Sequence, residues 1–295
     1  MKSSVSRTFA LLNRKPTVLL LYLPTLLVSG LFQMLVTSPD TSALASDPTA
    51  MLGFFGIQML RLLLEGLSLF LLMPAVVELL HDGIHEVESE RGWYVRGLKK
   101  HWWKPVVFEA IRFAIIMVLA IIVVTISMVF MVASLSAVLS APTDSLGGNE
   151  LIPMLSTLLP LGTALIGGVA LCSFFALLLP ALSDRTFGQA FSLIFGKGLK
   201  KYPKILAVTA VTYLIIFAVG VGFFLAFVLL HGGVPTSLEE LANAAKMYTN
   251  SWTSVLSTVF IGLSGIFLYA YSFVVYREIL DQETAENLAK ADVAI

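Results

Sequence analysis

The stretch Gly97-Leu98-Lys99-Lys100-His101-Trp102-Trp103-Lys104-Pro105 decides the fold, because an apolar run from Val106 to Leu139 begins where it ends. Further on, Gly198-Leu199-Lys200-Lys201-Tyr202-Pro203-Lys204 leads in the same way into Ile205 to Leu230. A fainter copy, Arg14-Lys15-Pro16, precedes Thr17 to Val36. The closing halves rhyme less well, but Leu71-Leu72-Met73-Pro74 and Leu177-Leu178-Leu179-Pro180 sit at matching places before a polar exit. Self-similarity of this kind predicts one helical hairpin used three times, each copy opened by a basic, aromatic elbow.

Composition agrees. The chain is 57% hydrophobic and 13% charged, with a mean hydropathy of +0.88, more apolar surface than a water-soluble domain of this length can hide in a core. A hydrocarbon layer roughly 30 Å thick is spanned by about 20 apolar residues at helical rise, with every backbone group bonded within the segment. Six stretches qualify: Thr17 to Val36, Leu52 to Leu80, Val106 to Leu139, Ile152 to Leu182, Ile205 to Leu230 and Trp252 to Ile279. None alternates as a barrel strand would. The expected fold is therefore an all-α, polytopic membrane protein: a single domain over residues 1–295, with hairpins at about 1–85, 91–184 and 187–280 and a short tail at 281–295.

The cations orient it. Of 19 Lys and Arg residues, the loops Thr37 to Met51, Ser140 to Leu151 and His231 to Ser251 contain only Lys246, and Arg61 and Arg112 fall inside helices. The remaining 16 lie on the opposite side, which predicts cytoplasmic termini in the cytoplasmic membrane of a prokaryote. The first apolar run is too long, and Ala43-Leu44-Ala45 too far from its end, for a cleaved signal, so an uncleaved first helix is expected. Cys172 is the single cysteine, so no disulfide forms within the chain.

The elbows carry the strongest functional signal. Arg96, Lys99, Lys100, Trp102, Trp103 and Lys104 in one, and Lys197, Lys200, Lys201 and Lys204 in the other, mix cations with aromatic residues as interfacial helices do. Each cation near an anionic leaflet is worth on the order of 1 kcal/mol, so these ten residues are the expected headgroup contacts and anionic lipid the expected partner. Topology anchoring alone accounts for much of the same pattern.

Two charge pairs fall inside apolar runs. Arg61 and Glu65 are four apart and Glu109 and Arg112 three apart, so each pair meets on one helical face. Ionisable groups at such depth face protein or a water cavity, and a structural pair accounts for Arg61 and Glu65 better than a transport site does. His81-Asp82-Gly83-Ile84-His85 has the spacing of a zinc-binding helix with Asp in place of Glu, and Glu78, Glu86 or His101 would be its third ligand. Asp reaches a metal-bound water less well than Glu, and Gly83 weakens the helix, so a solvated polar exit explains these residues without a metal. No nucleotide-binding loop, nucleophile elbow or cysteine pair is present, and nothing points to nucleic acid. Small residues recur at packing spacing: Ala164, Gly168 and Cys172, then Ala218, Gly222 and Ala226, then Ser254, Thr258 and Gly262.

The six runs, the Gly-Leu-Lys-Lys elbows and the aromatic and Pro residues after them resemble the prokaryotic six-helix integral membrane proteins related to the membrane domain found ahead of some glycerophosphodiester phosphodiesterases. That resemblance implies a membrane module. It implies no phosphodiesterase activity, because the catalytic barrel is missing from this sequence. The expectation is a non-enzymatic protein without a cofactor that binds lipid or holds a partner protein; a small-solute transporter and a membrane metallohydrolase are the alternatives.

Overall fold

A computed structural model describes residues 3–35, 56–57, 59–60, 63–64, 66–67, 70–89, 91–140, 166–231 and 237–293. Among these residues the protein is all-α, with no strand. Its helices are α1 (Ser4–Arg14), α2 (Thr17–Leu35), α3 (Met73–Ile84), α4 (Trp93–His101), α5 (Lys104–Ser140), α6 (Ile166–Asp184), α7 (Phe187–Leu193), α8 (Leu199–His231), α9 (Leu238–Thr249) and α10 (Trp252–Val293).

Local chemistry sets the boundaries. Ser3 caps α1 by accepting from the Ser6 amide, and Lys15, before Pro16, leaves the helix because proline disfavours the α conformation in its predecessor. Gly92, with φ at 93°, makes the left-handed turn that admits α4. A reciprocal capping box between Thr186 and Gln189 opens α7. Pro74 sits in the first turn of α3, where its missing N–H costs nothing, and Pro180 follows a 3-10 turn at Phe175–Leu177.

Among the described residues, three helices are long and apolar enough to cross a membrane: α6, the continuous stretch Phe187–His231 and α10 as far as Ala291. They fall where the fourth, fifth and sixth apolar runs were expected. The helix α5 has 37 residues, about 55 Å at 1.5 Å per residue. Of the second run, the structure describes α3 and scattered residues before it. Three expectations change. The third elbow is not separate from the span after it, because α7, a π turn at Ile194–Gly198 and α8 form one stretch of 45 residues. The loop from His231 to Ser251 contains α9, capped by Ser237 and packed through Tyr248 on Phe224 and Phe227. Residues 281–293 are no free tail; they continue α10.

The core lies at the end of the bundle where the elbows sit. Helix α10 is its axis, touching α1, α2, α3, α6 and α8. Ile266, Tyr271, Phe273, Tyr276 and Ile279 of α10 are fully buried together with Met73, Leu80, Leu178, Leu182 and Ile194. A helix apolar on every side must be surrounded, and this segment of α10 is. Gly97 lets α4 seat against α3: a Cβ there would stand 2.9 Å from the Pro74 carbonyl and 3.0 Å from Ala75 Cα. This is the role of the elbow glycine that opens the deciding stretch.

Candidate functional site at the elbow end

The polar exits noticed in the sequence meet in space. Asp184 ends α6 four residues after Pro180, just as Glu78 stands four residues after Pro74 in α3. Both carboxylates collect basic side chains, and the two groups join into one network across the end of the bundle.

Glu78 is 1% exposed and forms the first node. Arg96 Nε donates to its Oε1, His101 Nε2 lies 2.7 Å from Oε2, and Lys100 stands 3.7 Å away. Lys104 Nζ donates to His101 Nδ1 at 3.0 Å and to the Ser183 carbonyl at 3.1 Å. An ammonium only donates, so Nδ1 of His101 is an acceptor and Nε2 carries the proton given to Glu78. Burial and the Lys104 charge push the His101 pKa down to about 4, so the ring is neutral at pH 7. Burial, with the Lys100 charge beside it, also lowers that of Lys104.

The second node is Asp184. Its Oδ1 lies 2.5 Å from His81 Nε2 and its Oδ2 3.6 Å from His85 Nε2. The two histidines are one turn apart on α3, ring centroids 4.7 Å from each other. Arg277 of α10 donates to His85 Nδ1 at 3.2 Å, which places the His85 proton on Nε2, facing Asp184. Burial, then the neighbouring His81, lowers the His85 pKa. Arg96 links the nodes through Asp82, Nη2 to Oδ2 at 2.8 Å. His81 Nδ1 is buried, has no hydrogen-bond partner among the described residues, and stands 3.9 Å from Asp82 Oδ1.

Of the residues expected to face lipid, Arg96, Lys100 and Lys104 belong to this network, and Lys104 is only 8% exposed. Lys201 and Lys204 pair with Glu278, at 3.8 and 2.8 Å, and Lys197 with Glu286, at 2.8 Å. Lys99 and Lys200 are exposed and make no hydrogen bond or ion pair with a described residue. Trp102 is exposed, whereas Trp103 packs on the core. Glu109 and Arg112 do pair, at 3.3 Å, and Tyr269 OH donates to Glu109 at 2.6 Å. Beside them an open, mostly apolar pocket of about 100 Å³ is lined in part by Arg112, Cys172, Tyr213 and Tyr269. Arg61 and Glu65 lie outside the described residues.

Sequence reasoning missed two groupings. One is Asp184 as companion of His81 and His85; Glu78 and His101, expected as third ligands, bond to each other, and Glu86 pairs with Arg14. The repeat itself held the clue, because it aligns Asp184 with Glu78. The other is a cleft of about 340 Å³ between α1, α3 and α10, where Arg7, Arg14 and Arg277 stand over Leu11, Ile84 and Val274. Its arginines are scattered in sequence, and no local pattern joins them. In comparisons with protein families, with curated proteins and with solved structures, the chain matches none.

Proposed function

We propose that this chain is a non-enzymatic module of a prokaryotic cytoplasmic membrane, six helices in three hairpins with cytoplasmic termini, that holds anionic lipid at its elbow end. The three long apolar helices support membrane insertion. The order of elements supports the repeat: α1, α4 and α7 are short helices, and each leads directly into a long one, α2, α5 or α8.

The observation that carries the lipid reading is the arginine-lined cleft. Arg7, Arg14 and Arg277 outnumber its two carboxylates, Glu86 and Asp281, which stand more than half exposed. Guanidinium groups bind phosphate in a planar fork, and the apolar floor suits the first carbons of a lipid. Lys99 and Lys200 add cations that no described residue hydrogen-bonds or pairs with in contact, next to exposed Trp102, Phe195 and Leu199.

Native mass spectrometry in mild detergent tests this, with phosphatidylglycerol and phosphatidylcholine supplied in equal amounts. The protein should retain the anionic lipid, and Arg7→Gln with Arg14→Gln should release most of it. Equal retention of both lipids, or no change in the double variant, would defeat the lipid reading. A stoichiometric protein carried through purification from the native membrane would favour the partner-holding role instead.

A further inference from the structure

His81, His85 and Asp184 form a group with its own chemistry, bordering the arginine cleft through Arg277. Their ligand atoms all lie within 4.8 Å of one another, contributed by two elements that the core holds firmly. Helix α3 is buried around them at Val77, Leu79, Leu80 and Ile84, and Asp184 follows the buried pair Leu182 and Ser183. The three side chains are nonetheless 16, 28 and 23% exposed, so a hydrated ion reaches them from the elbow face. Two imidazoles and one carboxylate are the donor set of borderline first-row divalent ions, not of the all-oxygen ions Mg²⁺ and Ca²⁺.

The buried Nδ1 of His81 is the second observation. A buried ring nitrogen without a partner is unfavourable, having given up water for nothing. With a metal on Nε2, the ring proton moves to Nδ1 and faces Asp82 Oδ1, now 3.9 Å away. That is the carboxylate–histidine–metal arrangement by which proteins orient a ligating imidazole. Bonds of roughly 2.0–2.1 Å at tetrahedral angles set ligand atoms about 3.3 Å apart. The 2.5 Å contact of His81 with Asp184 would open by less than 1 Å, and the 3.6 Å contact of His85 would close slightly.

The neighbouring group of Glu78, His81 and Asp82 has comparable spacing, but Arg96 already neutralises its carboxylates. At His85 the obstacle is Arg277, whose donation holds the proton on Nε2, where the metal must bind. Arg277 has a second partner, Asp281 at 3.1 Å, to which it can withdraw. We propose that His81, His85 and Asp184 bind one Zn²⁺-class divalent ion with open positions for water, that Asp82 orients His81, and that Arg277 competes with the metal.

Co²⁺ is the probe, because its visible absorption reports nitrogen and oxygen ligation directly. The full chain, purified without a histidine tag, should bind one Co²⁺ per molecule with d–d bands that Zn²⁺ abolishes and Mg²⁺ does not. Asp184→Asn, which keeps an acceptor for His81, and His85→Gln should each weaken binding at least tenfold. Arg277→Gln should strengthen it about tenfold, the size of an outer-shell effect, and a gain cannot come from misfolding. Absence of Co²⁺ bands in both the wild type and Arg277→Gln would overturn the proposal, as would bands that persist unchanged in His85→Gln.

Discussion

The elbow end and the outer face of α8 are solved by opposite rules. At the elbow end, Glu78, His101 and Lys104 are charged or polar, almost fully buried, and bonded to one another. Along α8, Leu214, Phe217 and Leu230 are apolar and 67, 71 and 81% exposed, and only 11% of the helix's most apolar window is buried. A soluble protein would reverse both. A helix such as α8 is long and apolar enough for a membrane to supply the surroundings it needs, and the chain's internal packing is concentrated at the elbow end.

That contrast can be broken most directly at its polar node. Glu78→Ala would take the acceptor from buried His101 and one of the two carboxylates from the part-exposed Arg96, which keeps Asp82, and a buried donor left without its partner costs about 1–3 kcal/mol. Phe217→Ala, equally drastic in size but facing outward, should change stability in detergent by no more than about 0.5 kcal/mol. Thermal melts of the two variants side by side would refute the contrast if their losses were alike.

Acid should attack the same end. The His101 pKa is near 4 in the folded protein and 6.5 when unperturbed, so between those values the unfolded chain binds more protons. The stability that depends on neutral His101 is whole above about pH 6.5 and drains away as pH falls toward 4, by about 3 kcal/mol at 1.36 kcal/mol per unit. His101→Gln should flatten the melting-temperature profile over that window; a profile as steep as wild type would place the acid sensitivity elsewhere.

Gly97→Ala is a smaller probe. Its methyl would meet the backbone of α3, which cannot yield as a side chain can, so a loss of about 1–3 kcal/mol is expected. Gly222→Ala on α8 meets nothing within 4 Å and should be neutral or slightly stabilising. Smallest of all, Lys204→Gln removes a half-exposed pair with Glu278 and should cost less than about 1 kcal/mol, weakening further in high salt.

Much of this was legible in the sequence, though unevenly. The apolar runs located α6, α8 and α10, because twenty apolar residues in a row leave a chain few alternatives. The elbow pattern located α4 and the start of α8, and the paired Leu-Leu-x-Pro motifs marked the two exits that meet. What pairs with what was not legible. His81 and Asp184 are 103 residues apart and His85 and Arg277 are 192 apart, so their contact depends on how hairpins pack and not on any local period. Most of the elbow lysines read as lipid contacts because sequence shows a cation but not its counterion; Glu283 and Glu286 lay in the segment expected to be a tail, and Glu278 at the end of the sixth apolar run. The direct run from α7 into α8 was hidden by Pro203, which the helix accommodates in its first turns.

The central position of α10 bears on how the protein is made. Ser4, Arg185, Lys197, Lys201 and Lys204 all find their partners on Glu278, Glu283 or Glu286, in a helix that leaves the ribosome after every one of them. During synthesis the earlier segments therefore lack these counter-charges until α10 is made. A chain arrested short of residue 278 would leave these cations without their carboxylates, whereas Arg96 and Lys100 would already have Glu78 and Asp82.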